Sequence, residues 1–129
     1  MFTVAQIKEA YGKVKSGADF PKYIQEIKAL GVVGFETFVN DSHTVYFGNN
    51  DYKTASVAMY ENKKIATVCN KDNFVAQLKK HQQGATDYFT FCQDCAENGI
   101  EKWIVSLTEM TCIYYDTQGN EVLVEQIPE

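Results

Sequence analysis

Laid against itself without gaps so that Asp19 falls on Asp87, the sequence also sets Gln25 on Gln93, Gly31 on Gly99 and Tyr46 on Tyr114. The same shift puts Phe20 on Tyr88, Phe35 on Trp103, Val45 on Ile113 and Phe47 on Tyr115. These matches fall at helix caps, helix stops and inward aromatic positions, so both halves read as helix, helix, strand, strand, strand. A chain of 129 residues with two prolines and no Ser/Gly-rich linker has little means of keeping such halves apart. The expectation is a single α+β domain over 1–129 made of two helical pairs, each followed by a short antiparallel β-meander. Pseudo-repeats 1–61 and 69–129 would then be an internal duplication sharing one core.

Local signals give the elements. Thr3 with Gln6 forms a capping box, and Val4, Ile7, Tyr11 and Val14 recur at helical spacing, predicting a helix from Val4 to Lys15 that Ser16-Gly17-Ala18 breaks. Asp19 caps a second helix with Pro21 in its first turn and Gly31 past its end. Strands are expected at Val32–Val39, Thr44–Phe47, Tyr52–Ala55 and Ile65–Cys69; Ser56–Lys64 has no clear pattern. Asn70 caps a helix to about Gln83, Thr86 or Asp87 caps another that Gly99 ends, and Ile100–Leu107, Thr111–Tyr115 and Glu121–Ile127 form the last meander.

All twelve basic residues are lysines. Without arginine the chain lacks the planar fork that reads guanine and clamps carboxylate or phosphate. A net charge of −5 further disfavours nucleic acid and anionic membranes as partners. The longest stretch free of Asp, Glu and Lys, Ser42–Asn50, is far short of the roughly 20 residues of a membrane span. With Lys8 and Glu9 breaking the N-terminal region, no secretory signal is expected and a cytoplasmic location is. From Asp94 onward Lys102 alone opposes eight carboxylates, giving an acidic C-terminal face.

Four groups could carry chemistry. Cys92 and Cys95 have the spacing of a redox or metal pair, but Tyr88, Phe91, Cys92 and Cys95 fall on one helical stripe, which predicts buried, inert thiols. A zinc site would need Cys69, Cys112, His81 or His43 in addition, none with a second ligand at diagnostic spacing, so no metal or other cofactor is expected. His43 follows Asp41 in a turn; the pair is either an exposed turn or a general base with its orienting acid. His81, after Lys79 and Lys80, reads as part of a basic cluster at a helix C-terminus. The adjacent aromatics Tyr46-Phe47 and Tyr114-Tyr115 cannot both face one core, so one member of each must meet another layer, a partner or solvent. They are the candidate binding residues.

Segments along nearly the whole chain carry a resemblance: Ile7-Lys8-Glu9-Ala10, the run from Lys15 to Tyr23, Glu36-Thr37-Phe38-Val39, Tyr46-Phe47-Gly48, His81-Gln82-Gln83-Gly84, Thr86-Asp87-Tyr88, Phe91-Cys92 with Cys95-Ala96, and Asn98-Gly99-Ile100-Glu101-Lys102-Trp103. Together they resemble the YbcV-like family of small bacterial proteins, often labelled "phage envelope protein". The resemblance implies a small α+β protein of bacterial or prophage genomes and assigns no functional residue. The resulting expectation is a non-enzymatic binding protein acting on a protein or small-molecule partner. The alternatives are a small hydrolase-like or metal-dependent enzyme using His43 and Asp41, with or without Cys92 and Cys95, and a phage structural component.

Overall fold

A threonine and a glutamine set where the first helix starts. In the computed structural model, which describes residues 2–14 and 19–127, the Gln6 amide donates to Thr3 Oγ1 at 3.2 Å and the Thr3 amide to Gln6 Oε1 at 2.8 Å. Helix α1 (Val4–Tyr11) follows, with Ile7 and Ala10 buried. Its expected end at Lys15 and the break at Ser16-Gly17-Ala18 lie outside the described residues. Helix α2 (Phe20–Ala29) buries Tyr23, Ile24 and Ile27. It leads into strands β1 (Gly34–Phe38), β2 (Thr44–Phe47) and β3 (Lys53–Ala55). In the second half α3 (Lys71–Gln82) and α4 (Tyr88–Glu97) precede β4 (Ile100–Ser106), β5 (Thr111–Asp116) and β6 (Glu121–Gln126). Asp87 supplies the α4 cap, its carboxylate accepting from the Thr90 amide at 2.8 Å.

The six strands form one antiparallel sheet in the order β3-β2-β1-β4-β5-β6, so each meander runs outward from the centre. The shift that sets Asp19 on Asp87 lays Phe20–Ala29 on Tyr88–Glu97, and Gly31 and Gly99 both adopt positive φ, 107° and 81°. The central β1–β4 ladder pairs Gly34 with Ser106, Glu36 with Ile104 and Phe38 with Lys102. Glu36 and Ile104 are also equivalent under that shift, so the β1–β4 register has a local two-fold axis on their pair, normal to the sheet.

The stretch Ile65–Cys69, expected as a strand, is irregular. Its amides are used elsewhere: Ala66 donates to the Ala96 carbonyl at 2.9 Å, and Asn70 to the Asn98 carbonyl at 3.0 Å. Residues 56–70 instead form a strap, tied to the β1–β2 turn through Met59 and Lys63 and to the C-terminal end of α4. Lys63 fastens it further, lying 4.4 Å from the Phe89 ring centroid and donating to Gln93 Oε1 at 2.8 Å.

Candidate functional site: the open face of the sheet

Period-2 alternation sorts the strand residues into two sets. Phe35, Trp103, Val105, Cys112 and Tyr114 point toward the helices and belong to the buried core with Ile24, Ile27, Phe74, Phe91 and Cys95, and Tyr46 packs against it. Ring contacts bind the layers: Phe74 meets Tyr114 at 5.1 Å and Phe91 meets Trp103 at 5.6 Å. Register places the opposite set, Phe38, Val45, Phe47, Ile104, Ile113, Tyr115 and Val124, on the other face. None of these seven belongs to the core or packs against it. Among the described residues no helix covers that face.

The adjacent aromatic pairs divide as alternation demands. Tyr46 and Tyr114 turn to the helices, where Tyr46 bonds with Tyr23 and both phenols are pushed above the usual tyrosine range by burial. Phe47 and Tyr115 turn outward.

Across the middle of the open face the register aligns Ala55, Val45, Glu36, Ile104, Ile113 and Val124, an aliphatic row broken by one carboxylate. At one end lies a second row, His43, Phe38, Lys102 and Tyr115. The His43 ring stacks on Phe38 at 4.5 Å, and the Lys102 ammonium lies 5.8 Å from the Phe38 centroid and 5.6 Å from that of Tyr115. Asp41 orients His43, its Oδ1 lying 2.6 Å from Nδ1 and 2.9 Å from the backbone amide. Burial opposes the charge on Asp41, but these bonds win and hold its carboxyl below the usual range. Glu36 lies 2.8 Å from Lys102 Nζ and, by that bond, raises the lysine above its ordinary value. The local two-fold puts Ser106, Gly34 and Ile104 where this end has Phe38, Lys102 and Glu36, so the charged aromatic row occurs once. Two shallow depressions lie toward the other end of the sheet, of about 280 Å³ beside Gly31, Val33 and Leu107 and about 350 Å³ beside Phe47 and Tyr52.

Sequence reasoning finds His43, Asp41, Phe47 and Tyr115 but not Phe38, Glu36 or Lys102. The signal that could have found them is parity: Glu36 and Phe38 share a face in β1, and an apolar Ile104 stands beside the inward Trp103 and Val105.

The other candidates are placed away from this face. Ser42, adjacent to His43, is buried at a φ of 61° with its hydroxyl 2.6 Å from that of Tyr88 on α4. Cys92 and Cys95 are buried on α4, both thiols raised by desolvation, while burial pushes Cys112 up to about 12. Hydroxyls of Tyr60, Tyr88 and Ser42 surround Cys92. Among the described residues no three His, Cys, Asp or Glu side chains are grouped as a metal site requires. Half-buried Cys69 should therefore react first with a thiol reagent, with Cys92, Cys95 and Cys112 following only on unfolding; mass-resolved labelling of the native protein checks this.

His81 stands with Lys79 and Lys80 in the basic last turn of α3, and the fold also packs it against α4. Its ring stacks on buried Phe91 at 4.5 Å, Nδ1 lies 3.1 Å from the Thr86 carbonyl, and desolvation lowers its pKa. The unfolded chain then binds more protons than the folded one as pH falls from about 6.5, so acid in that range removes stability. Replacing His81 with Gln should flatten the decline in melting temperature between about pH 6.5 and 5; Asp87 and Asp94, whose charges favour the imidazolium, moderate the slope.

No curated protein matches this chain. The model of the family described as "Protein of unknown function (DUF1398)" matches residues 8–126, and the chain belongs to that family.

Proposed function

We propose that this protein is a non-enzymatic interaction module whose working surface is the open face of its sheet. The observation carrying this reading is the composition of that face. An antiparallel sheet exposed on one side normally turns polar residues outward, whereas here the outward positions include Val45, Ile104, Ile113 and Val124 in one row with Glu36, and Phe38, Phe47 and Tyr115 beside Lys53, Lys102 and Glu121. A broad, flat surface of this kind suits a protein partner better than a small ligand, which needs a concave site. The bacterial or prophage origin, the cytoplasmic location and the descent of the two halves from a duplicated unit belong to the same proposal. Strand orders that match outward from the centre support the duplication.

A photo-crosslinking residue at Val124, on the open face, tests the reading against one at Lys22 on α2. Protein crosslinks from Val124 and none from Lys22 are expected. Crosslinks from neither position, or from Lys22 alone, would remove the open face from the function.

The Asp41–His43 pair favours a second reading, a small hydrolase-like enzyme. A panel of chromogenic esters and phosphate esters tests it: turnover that vanishes in His43→Gln would replace the binding reading. Large concentration-dependent assemblies would instead mark a structural component.

A further inference from the structure

We infer that the occupant of the open face is a second copy of this chain, the two sheets stacking face to face; this rests on the reading of that face just given. Charge is the first reason. The chain carries a net −5, yet the open face is close to balanced, Lys53 and Lys102 against Glu36, Glu121 and the His43-bonded Asp41. A strongly basic partner finds little surplus of acid there, and an acidic partner no surplus of base, whereas an identical face offers both signs to meet both.

Placement of the outer charges is the second reason. Lys53 on β3 and Glu121 on β6 are equivalent under the shift that relates the halves, so the local two-fold sets them at opposite corners of the sheet with opposite signs. Of the dimer axes that can lie in the plane between the sheets, two bring these corners together. An axis along the Lys53–Glu121 diagonal would put lysine on lysine and glutamate on glutamate. An axis across that diagonal puts each Lys53 against Glu121 of the second copy and makes the contact twice, as isologous symmetry requires. Electrostatics selects the second arrangement, and the aliphatic rows then cross at the centre, where Glu36 is already neutralised by Lys102 at 2.8 Å.

Area is the third. Six strands at about 4.8 Å spacing and five residues at about 3.4 Å rise give a patch of roughly 500 Å² per copy. Two copies bury about 1,000 Å², the lower bound for a specific interface, so the dimer should be reversible, dissociating in the micromolar range.

Sedimentation equilibrium from about 5 to about 500 μM reads the result, since a micromolar dimer passes from mostly monomer to mostly dimer across that span. Wild-type protein is expected to show a monomer–dimer equilibrium. Lys53→Glu should weaken it roughly tenfold by setting glutamate against Glu121 twice, and adding Glu121→Lys should restore it to within about threefold. Both sites are exposed, so neither change should alter folding. Wild-type protein that stays monomeric, assembles beyond a dimer, or dimerises without loss and rescue by the charge swap overturns the inference. If the protein is monomeric while Val124 still crosslinks to another protein, the self-pairing is wrong and the interaction-module reading stands; absence of crosslinks removes both.

Discussion

Trp103→Ala is expected to destabilise the protein by about 3–5 kcal/mol, while Ile104→Ala, one residue along the same strand, should cost about 1 kcal/mol or less. Trp103 is 8% exposed and packs against Tyr88, Phe91 and Tyr114 with ring centroids between 5.6 and 6.4 Å. Removing its ring leaves a cavity between sheet and helices that neighbours in the core fill only partly. Ile104 faces outward and belongs neither to the core nor to the side chains packed against it, so its truncation opens no cavity there. Chemical denaturation of the two variants measures the contrast; equal large losses would mean that a second layer covers Ile104 as well.

Gly99→Ala should cost about 2–4 kcal/mol, and Gly31→Ala, at the equivalent place in the first half, about 1–2 kcal/mol. Both glycines sit at positive φ after a helix, so both substitutions incur the left-handed penalty of an L residue. They differ in what a Cβ would meet. At Gly99 it would lie 2.7 Å from the Val68 carbonyl oxygen and 2.9 Å from the Cys69 Cα, both backbone atoms of the strap. At Gly31 its nearest neighbour is a carbon of the Phe2 ring at 3.8 Å, an ordinary contact. The difference between the two variants isolates the strap's close approach, and equal losses in thermal melts would show that the strap yields freely.

The strap also marks where local sequence signals stop. Ile65, Thr67 and Val68 are β-branched and apolar enough to read as a strand, but a strand needs a free edge, and the Ala66 and Asn70 amides bond to the end of α4. His81 shows a similar limit: the basic last turn of α3 is legible beside Lys79 and Lys80, but only the fold brings Phe91 under the imidazole. What short-range chemistry determines is legible: the Thr3 box, the Asp87 cap, the stops at Gly31 and Gly99, and the buried stripe of Phe91, Cys92 and Cys95.

The site is half legible. Alternation alone says that Tyr46 and Phe47 part company, as do Tyr114 and Tyr115, but not which member meets the helices or whether anything covers the rest. The row His43, Phe38, Lys102, Tyr115 draws on four strands or strand ends, and Phe38 and Lys102 come from opposite halves of the chain. Such a row exists only once the β1–β4 pairing is made, and no local pattern encodes that pairing.

Hydroxyl-radical footprinting of β2 and β5, at low and at high protein concentration, tests the open face most directly. Val45, Phe47, Ile113 and Tyr115 should be modified in dilute solution while buried Cys112 and Tyr114 are spared, and the first group alone should become protected as the protein is concentrated. Protection of both groups at every dilution would contradict the account, because it would mean that the outer face of the sheet is already covered.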